Sequence, residues 1–273
     1  MTTQQQAGIL VDRVRLGDGD DEMGLVTLNR PAEMNPLDWP TALELGRVFD
    51  ELAGDDRVRV VAVTGAGRAF SAGGDMKKYR ELQRDPAAFP QFLSDATEVF
   101  ARIGQYPKPF VALVNGVAVA GGIELLLSCD LAIASTSARI GDAHLTFGQM
   151  GGGGVLTLLP RAVGPARARE LILSGRLLWP QEALDWGLVS KVVPDEELVA
   201  AGTAFAAEVA KKSPLAVGNA KRVLNAALWD GTGVAAGIRL EREVTSRYCL
   251  TSHDAEEGLV AFAEKRRPSF TGR

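Results

Sequence analysis

Phe70-Ser71-Ala72-Gly73-Gly74-Asp75 and Asn115-Gly116-Val117-Ala118-Val119-Ala120-Gly121-Gly122-Ile123-Glu124 are two segments built alike. Each follows an apolar, β-branched run and leads into a stretch of helical spacing, so each reads as a strand-to-helix turn. Small residues at such turns leave backbone N–H groups uncovered, and a helix start adds the positive end of its dipole. Two such turns brought together would hold a negatively charged oxygen with no cationic side chain. Glu124, in the first helical turn after Gly121, puts a carboxylate beside that pocket. Together the segments read as an oxyanion hole with an acid/base next to it.

Outward from these turns the pattern alternates. Ile9 to Leu16 and Leu25 to Leu28 read as strands joined by the turn Gly17-Asp18-Gly19-Asp20-Asp21. Pro40 to Ala53 carries Leu43, Leu45, Val48, Phe49 and Leu52 at helical spacing and stops at Gly54. Val58 to Val63, Phe110 to Val114 and Leu131 to Ala134 read as buried strands. Met76 to Ile103 reads as helix interrupted at Pro86 and Pro90, and Gly122 to Ser128 as a short helix. Further helices are expected over Arg167 to Ser174, Gln181 to Trp186 and Glu196 to Lys211, with a strand over Leu188 to Val193. Beyond Pro214 all is helical: Leu215 to Trp229, Val234 to Tyr248 and His253 to Arg266. Alternating strands and helices followed by a helical tail imply an α/β core with covered sheets. No internal repeat or low-complexity linker is visible.

The 273 residues suffice for a large core, and 46% apolar with 23% charged residues is ordinary for a globular chain. A net charge of −4 gives no global field for nucleic acid, and Lys265-Arg266-Arg267 is the only tight basic run. Cys129 and Cys249 are far apart and match no metal spacing, as in a reducing compartment. The N-terminus lacks the basic start and apolar stretch of a signal peptide. The apolar region Phe110 to Ala134 is broken by Asn115, Glu124, Ser128 and Asp130, so it is no membrane span. A cytoplasmic protein with no membrane and no nucleic-acid partner is expected.

Other glycine motifs fail. Gly65-Ala66-Gly67 begins a dinucleotide fingerprint whose third glycine would fall at Phe70. Gly151 to Gly154 is not followed by the Gly-Lys-Ser/Thr of a nucleotide loop. Ser71 is one glycine short of a nucleophile elbow, and only two histidines exist to serve it.

The segments that survive closely resemble the enoyl-CoA hydratase/isomerase (crotonase) superfamily. The resemblance covers nearly the whole chain: Val26-Thr27-Leu28-Asn29-Arg30-Pro31 with Asn35, Arg68 to Asp75, and Lys108-Pro109 leading to Val114-Asn115-Gly116. It continues through Ala120 to Leu125, Cys129-Asp130, Arg161 to Gly164 and Ala183 to Val189, and closes with Phe262-Ala263-Glu264-Lys265-Arg266. The ordered set is specific for the superfamily and less so for the reaction.

The resemblance implies a crotonase-like (ClpP/crotonase) α/β fold, a spiral of repeated strand–strand–helix turns over residues 1–205. A C-terminal helical region, 206–273, would form a trimer or a dimer of trimers. It implies an acyl-CoA thioester substrate whose oxygen lies between the N–H groups of Gly74 and Gly121, with Glu124 as principal acid/base. Coenzyme A is then part of the substrate, and no metal or redox cofactor is called for. Ala72, Asp75, Lys77, Trp39, Gly152 and Lys265 are the candidates for contacting substrate, the lysines through phosphates.

Two departures stand out. The family's hydratases carry a second glutamate where this chain has His144, within Asp142-Ala143-His144-Leu145. Histidine also exchanges protons near neutral pH, so hydration of a 2-enoyl-CoA remains the expected reaction. The change at His144 keeps carbon–carbon hydrolysis or decarboxylation of a β-keto or related acyl-CoA as the alternative, and a non-catalytic trimeric binding protein as a third reading. The second departure is Gly151 to Gly154, where the usual pattern has a proline before the glycines.

Overall fold

The computed structural model describes the backbone of residues 4–6 and the whole of residues 8–273. β1 (Gln4–Gln6), β2 (Ile9–Arg15) and β3 (Glu22–Leu28) fold back antiparallel, with Ile9 opposite Leu28 and Arg15 opposite Glu22. α1 (Trp39–Gly54) crosses over to β4 (Val58–Gly65), which runs parallel to β3. Asp38 caps α1 by accepting from the Thr41 N–H at 3.1 Å. Pro40 sits in the first turn, where a missing N–H costs nothing.

From β4 onward a long strand, a short strand and helix recur. β4 is followed by β5 (Ala69–Ser71), α2 (Met76–Leu82) and α3 (Ala88–Ile103). β6 (Phe110–Val114) is followed by β7 (Val117–Val119) and α4 (Gly121–Ser128), and β8 (Leu131–Ser135) by β9 (Arg139–Gly141) and α5 (Val155–Val163). α6 (Pro165–Ser174), α7 (Pro180–Asp185), β10 (Lys191–Val193) and α8 (Leu198–Ala210) complete the core region. α9 (Pro214–Leu228), α10 (Val234–Thr251) and α11 (His253–Ala263) form the tail. One sheet runs in the order β1-β2-β3-β4-β6-β8-β10, and three short strands stack separately as β5-β7-β9. This is the strand–strand–helix spiral.

The long sheet is buried on both faces, and period-two alternation sorts its residues. Phe110, Ala112 and Val114 join the core shared with α1 and α3, while Val111 and Leu113 join the core under α8. α8 contributes Leu198 and Ala206 to that second core, and it spans residues 205 and 206, where the sequence reading divided core from tail.

Three sequence expectations need correction. Pro90 does not interrupt a helix: it is the third residue of α3, within the first turn, and only the region of Pro86 is non-helical. The strand expected over Leu188 to Val193 begins only at Lys191. The amides of Leu188 and Val189 bond back to the Ala183 carbonyl at 2.9 and 3.3 Å and finish the turn after α7 instead. α5 was not anticipated, because four glycines precede it and Pro160 lies inside it.

Lys221 ties the tail to the core. Its buried ammonium reaches Asp130 Oδ2 at 2.7 Å and the carbonyls of Ile103 and Lys108 at 2.8 and 2.9 Å. Beyond it Leu228, Val234, Ile238, Leu250, Leu259 and Phe262 all stand more than half exposed. Among the described residues no helix is long and apolar enough to cross a membrane.

Candidate active site

The two turns quoted at the outset meet in space, and two glycines make the approach possible. Gly73 has φ +90°, and a Cβ there would lie 2.7 Å from Ala120 Cβ. A Cβ on Gly122 would lie 2.2 Å from the Ser71 carbonyl oxygen. Ser71 is buried and braces the first turn: its hydroxyl donates to the Asn35 carbonyl at 2.8 Å and accepts from the Gly73 N–H at 3.1 Å. Asn35 and Asn115 both donate to the Ala69 carbonyl, at 2.8 and 3.2 Å, wiring that turn to its neighbours.

Gly121 is the first residue of α4, so its N–H has no carbonyl within the helix. Among the described residues, neither the Gly121 nor the Gly74 N–H donates to a protein acceptor. Ala120, which precedes the helix, holds φ +49° and ψ −121°, a strained conformation for a residue with a Cβ. That conformation sets the orientation of the peptide carrying the Gly121 N–H, and nothing in the residue types announced it.

Glu124 stands one turn along α4 and is 4% exposed. Its Oε1 accepts from the Gly153 N–H at 2.7 Å and lies 3.4 Å from the Val155 amide. Burial pushes its pKa up, and the charge of Asp142 adds to this; His144 and the two amides pull the other way without cancelling it. The carboxylate is thus held in place yet made more basic than usual, as a general base near neutral pH requires. Tyr79 sits between the two halves of the site. Its ring is 3.6 Å from where a Gly74 Cβ would be, and burial followed by the Glu124 charge raises its pKa.

His144 follows β9 and packs against a buried carboxylate, its Nδ1 2.5 Å from Asp142 Oδ1. Burial alone would lower the His144 pKa, but the Asp142 hydrogen bond and the charges of Glu124 and Asp142 outweigh it and hold the pKa above the usual value. Gly151 shows how close the two catalytic candidates come. A Cβ built there would stand 3.1 Å from Glu124 Oε1 and 3.4 Å from His144 Nδ1. The same point lies 2.3 Å from Val155 Cγ1, so it is filled by protein and measures only how near the carboxylate and the ring come to each other.

His144, Ala72, Gly74, Asp75, Lys77, Tyr79 and Ala120 line one cavity of about 600 Å³. A neighbouring cavity of about 450 Å³ shares Gly74, Asp75 and Tyr79 and is walled by Trp39, Leu82 and Phe92. Lys77 is exposed at the first cavity, whereas Lys78 is drawn away by Asp38 at 2.7 Å. Asp75 caps α2 by accepting from the Lys77 and Lys78 amides at 2.9 and 3.3 Å. The Trp39 Nε1–H is taken by Asp95 at 2.8 Å, leaving its ring to the second cavity.

Gly152, a substrate-contact candidate from the sequence, faces away. A Cβ there would meet Leu93, and its carbonyl accepts from the Thr97 hydroxyl. Its neighbours Gly151 and Gly153 are the glycines that meet Glu124. Lys265 lies beyond α11 and lines none of these cavities.

Two uncommitted amides at converging turns, with a buried carboxylate and an imidazole close to each other, form a site for activating a carbonyl compound. A sequence profile described as enoyl-CoA hydratase/isomerase matches residues 19–273, so the chain belongs to that family, within the crotonase superfamily of acyl-CoA enzymes. It is similar to 2,3-dehydroadipyl-CoA hydratase of Escherichia coli K12, 36% identical over 250 residues, 91% of this chain and 95% of the relative. It is also similar to (E)-benzylidenesuccinyl-CoA hydratase of Thauera aromatica, 35% identical over 253 residues, 92% and 96% of the two chains. Among solved structures, enoyl-CoA hydratase from Bacillus anthracis superposes with a TM-score of 0.89 at 32% identity, covering 97% of this chain and 100% of that one.

Proposed function

We propose that this protein is an enoyl-CoA hydratase, adding water reversibly across the double bond of a 2-enoyl-CoA thioester. The Gly74 and Gly121 amides hold the thioester oxygen as it turns anionic, each contributing on the order of 3 kcal/mol. Glu124 takes a proton from the attacking water, and His144 delivers one to the α-carbon. The observation that carries this reading is the approach of the buried Glu124 carboxylate and the His144 ring across Gly151, beside the turns that present the Gly74 and Gly121 amides. A reaction that adds a proton and a hydroxyl at adjacent carbons needs two proton-handling groups near each other. The chemistry adds the elements of water across the double bond, with no net oxidation or reduction, and calls on no metal or redox cofactor.

Lys77, exposed at the 600 Å³ cavity, is the proposed partner for coenzyme A phosphates. The exposed apolar side chains of α9, α10 and α11 support self-association through the tail, as a trimer or a dimer of trimers; Lys265 would reach coenzyme A only from a neighbouring subunit.

His144 standing where the family's hydratases place a glutamate favours a second reading, carbon–carbon hydrolysis or decarboxylation through the same enolate. Crotonyl-CoA and a cyclic β-ketoacyl-CoA offered side by side separate them. Loss of the enoyl absorbance with formation of a hydroxyacyl-CoA, and no ring opening, is the expected result. Ring opening alone would replace hydration by hydrolysis, and failure to bind either thioester would return the protein to a non-catalytic role.

A further inference from the structure

Asp142 is a buried acid that the reaction as described does not use. Its side chain is 1% exposed. Oδ1 contacts His144 Nδ1 at 2.5 Å and also accepts from the His144 backbone N–H at 3.3 Å. Oδ2 has no hydrogen-bond donor among the described residues. The two-residue spacing produces this geometry, since an Asp side chain readily turns back on the amide two residues ahead. A buried carboxylate with one oxygen unmet is costly unless an adjacent positive charge offsets it. Asp142 therefore favours the imidazolium form of the ring it touches.

We propose that Asp142 is the positioning residue that makes His144 the proton donor of this site; the proposal rests on the hydratase reading for its chemistry. Nδ1–H is committed to Asp142, so Nε2, with no protein partner among the described residues, is the nitrogen left to exchange a proton with substrate. Water adds to the β-carbon while its proton goes to Glu124, forming the C–O bond. The His144 Nε2–H proton goes to the α-carbon, forming the C–H bond and discharging the enolate. Glu124 then returns its proton to His144, so the site is restored and one water has been consumed. A carboxylate and an imidazolium thus do what a carboxylate and a carboxylic acid would do in a two-glutamate site.

The charged and titratable groups that face His144 are few. Asp142 lies beneath the ring and Glu124 comes from α4; Tyr79, Lys77 and Asp75 at the start of α2 and Glu33 line the shared cavity. Among the described residues, only Asp142 makes a hydrogen bond to the ring.

The chain has two histidines, His144 and the exposed His253, so imidazole NMR titration resolves them without substrate. In the wild type His144 is expected to titrate above the ordinary imidazole range, and in Asp142→Asn below the wild-type value. The alkaline limb of kcat on crotonyl-CoA should move to lower pH in the same variant. kcat should fall on the order of 10-fold or more with KM nearly unchanged, and Asp142→Glu should recover part of the loss. An Asp142→Asn protein with unchanged titration and alkaline limb overturns the proposal. So does a wild-type His144 that titrates at or below the ordinary range, a result that does not require the variant to fold. A titration that shifts as expected in a protein inert toward every enoyl-CoA upholds the pairing and sinks the hydratase reading instead.

Discussion

The Gly153 amide donates to Glu124 Oε1 at 2.7 Å, and a Cβ on Gly153 would stand 2.6 Å from Glu124 Oε2. The loop thus grips the carboxylate by its backbone and leaves no room for a side chain. Gly153→Ala should therefore displace Glu124 from its bond and lower kcat on crotonyl-CoA by about 10-fold or more, with a small change in melting temperature. Wild-type kcat in that variant would mean that Glu124 does not depend on this grip.

Glu124→Gln keeps the size and removes the proton acceptor. Turnover should fall on the order of 10²-fold or more while acyl-CoA binding and the assembly state persist. Isothermal titration with a saturated acyl-CoA and sedimentation check the last two. Activity retained in the glutamine variant would strip Glu124 of its assigned role.

The pH dependence follows from the same carboxylate. Its pKa is raised, chiefly by burial, so the base is lost to protonation at a higher pH than an ordinary carboxylate would be. kcat/KM should fall on the acid side with a limb above the usual carboxylate range. Because Glu124 and His144 feel each other's charge, that limb and the alkaline one belong to the pair. An acid limb at the ordinary carboxylate position would contradict the burial argument.

Lys221 offers a test of the tail. Lys221→Met would leave Asp130 and the Ile103 and Lys108 carbonyls without their shared donor. Asp130 retains partial contact with water and the Phe110 amide, which tempers the loss, so about 2 kcal/mol is expected. Urea unfolding measures it; a midpoint equal to wild type would show that the staple contributes nothing.

Gly122→Ala tests the meeting of the turns. Its Cβ would strike the Ser71 carbonyl oxygen, which is backbone and cannot swing aside. Loss of acyl-CoA binding together with a lowered melting temperature is expected, and unaltered binding would show that the oxyanion amides tolerate separation of the turns.

Local pattern was enough to place the strand-to-helix turns, the long buried strands, the helical tail and a carboxylate, Glu124, beside the second turn, whereas Gly74, Gly121 and His144 were singled out by the resemblance to the crotonase superfamily. Apolar periodicity and paired glycines are short-range properties, written in neighbouring residues. The sheet β5-β7-β9 was out of reach of that kind of reading. Its strands are three residues each, too brief for any periodicity, and exist because Ala69, Val117 and Arg139 are brought into register by the spiral. The same holds for the site's finer points. Gly152 and Gly153 are alike as letters, yet the course of the loop turns the Gly153 amide to Glu124 and Gly152 toward Leu93. Whether Asp142 lay at the surface or beneath His144 depended on burial, which packing confers. Chain-local chemistry names the groups that can react; the distances between them, and the pKa values those distances impose, arise from contacts between segments far apart in sequence.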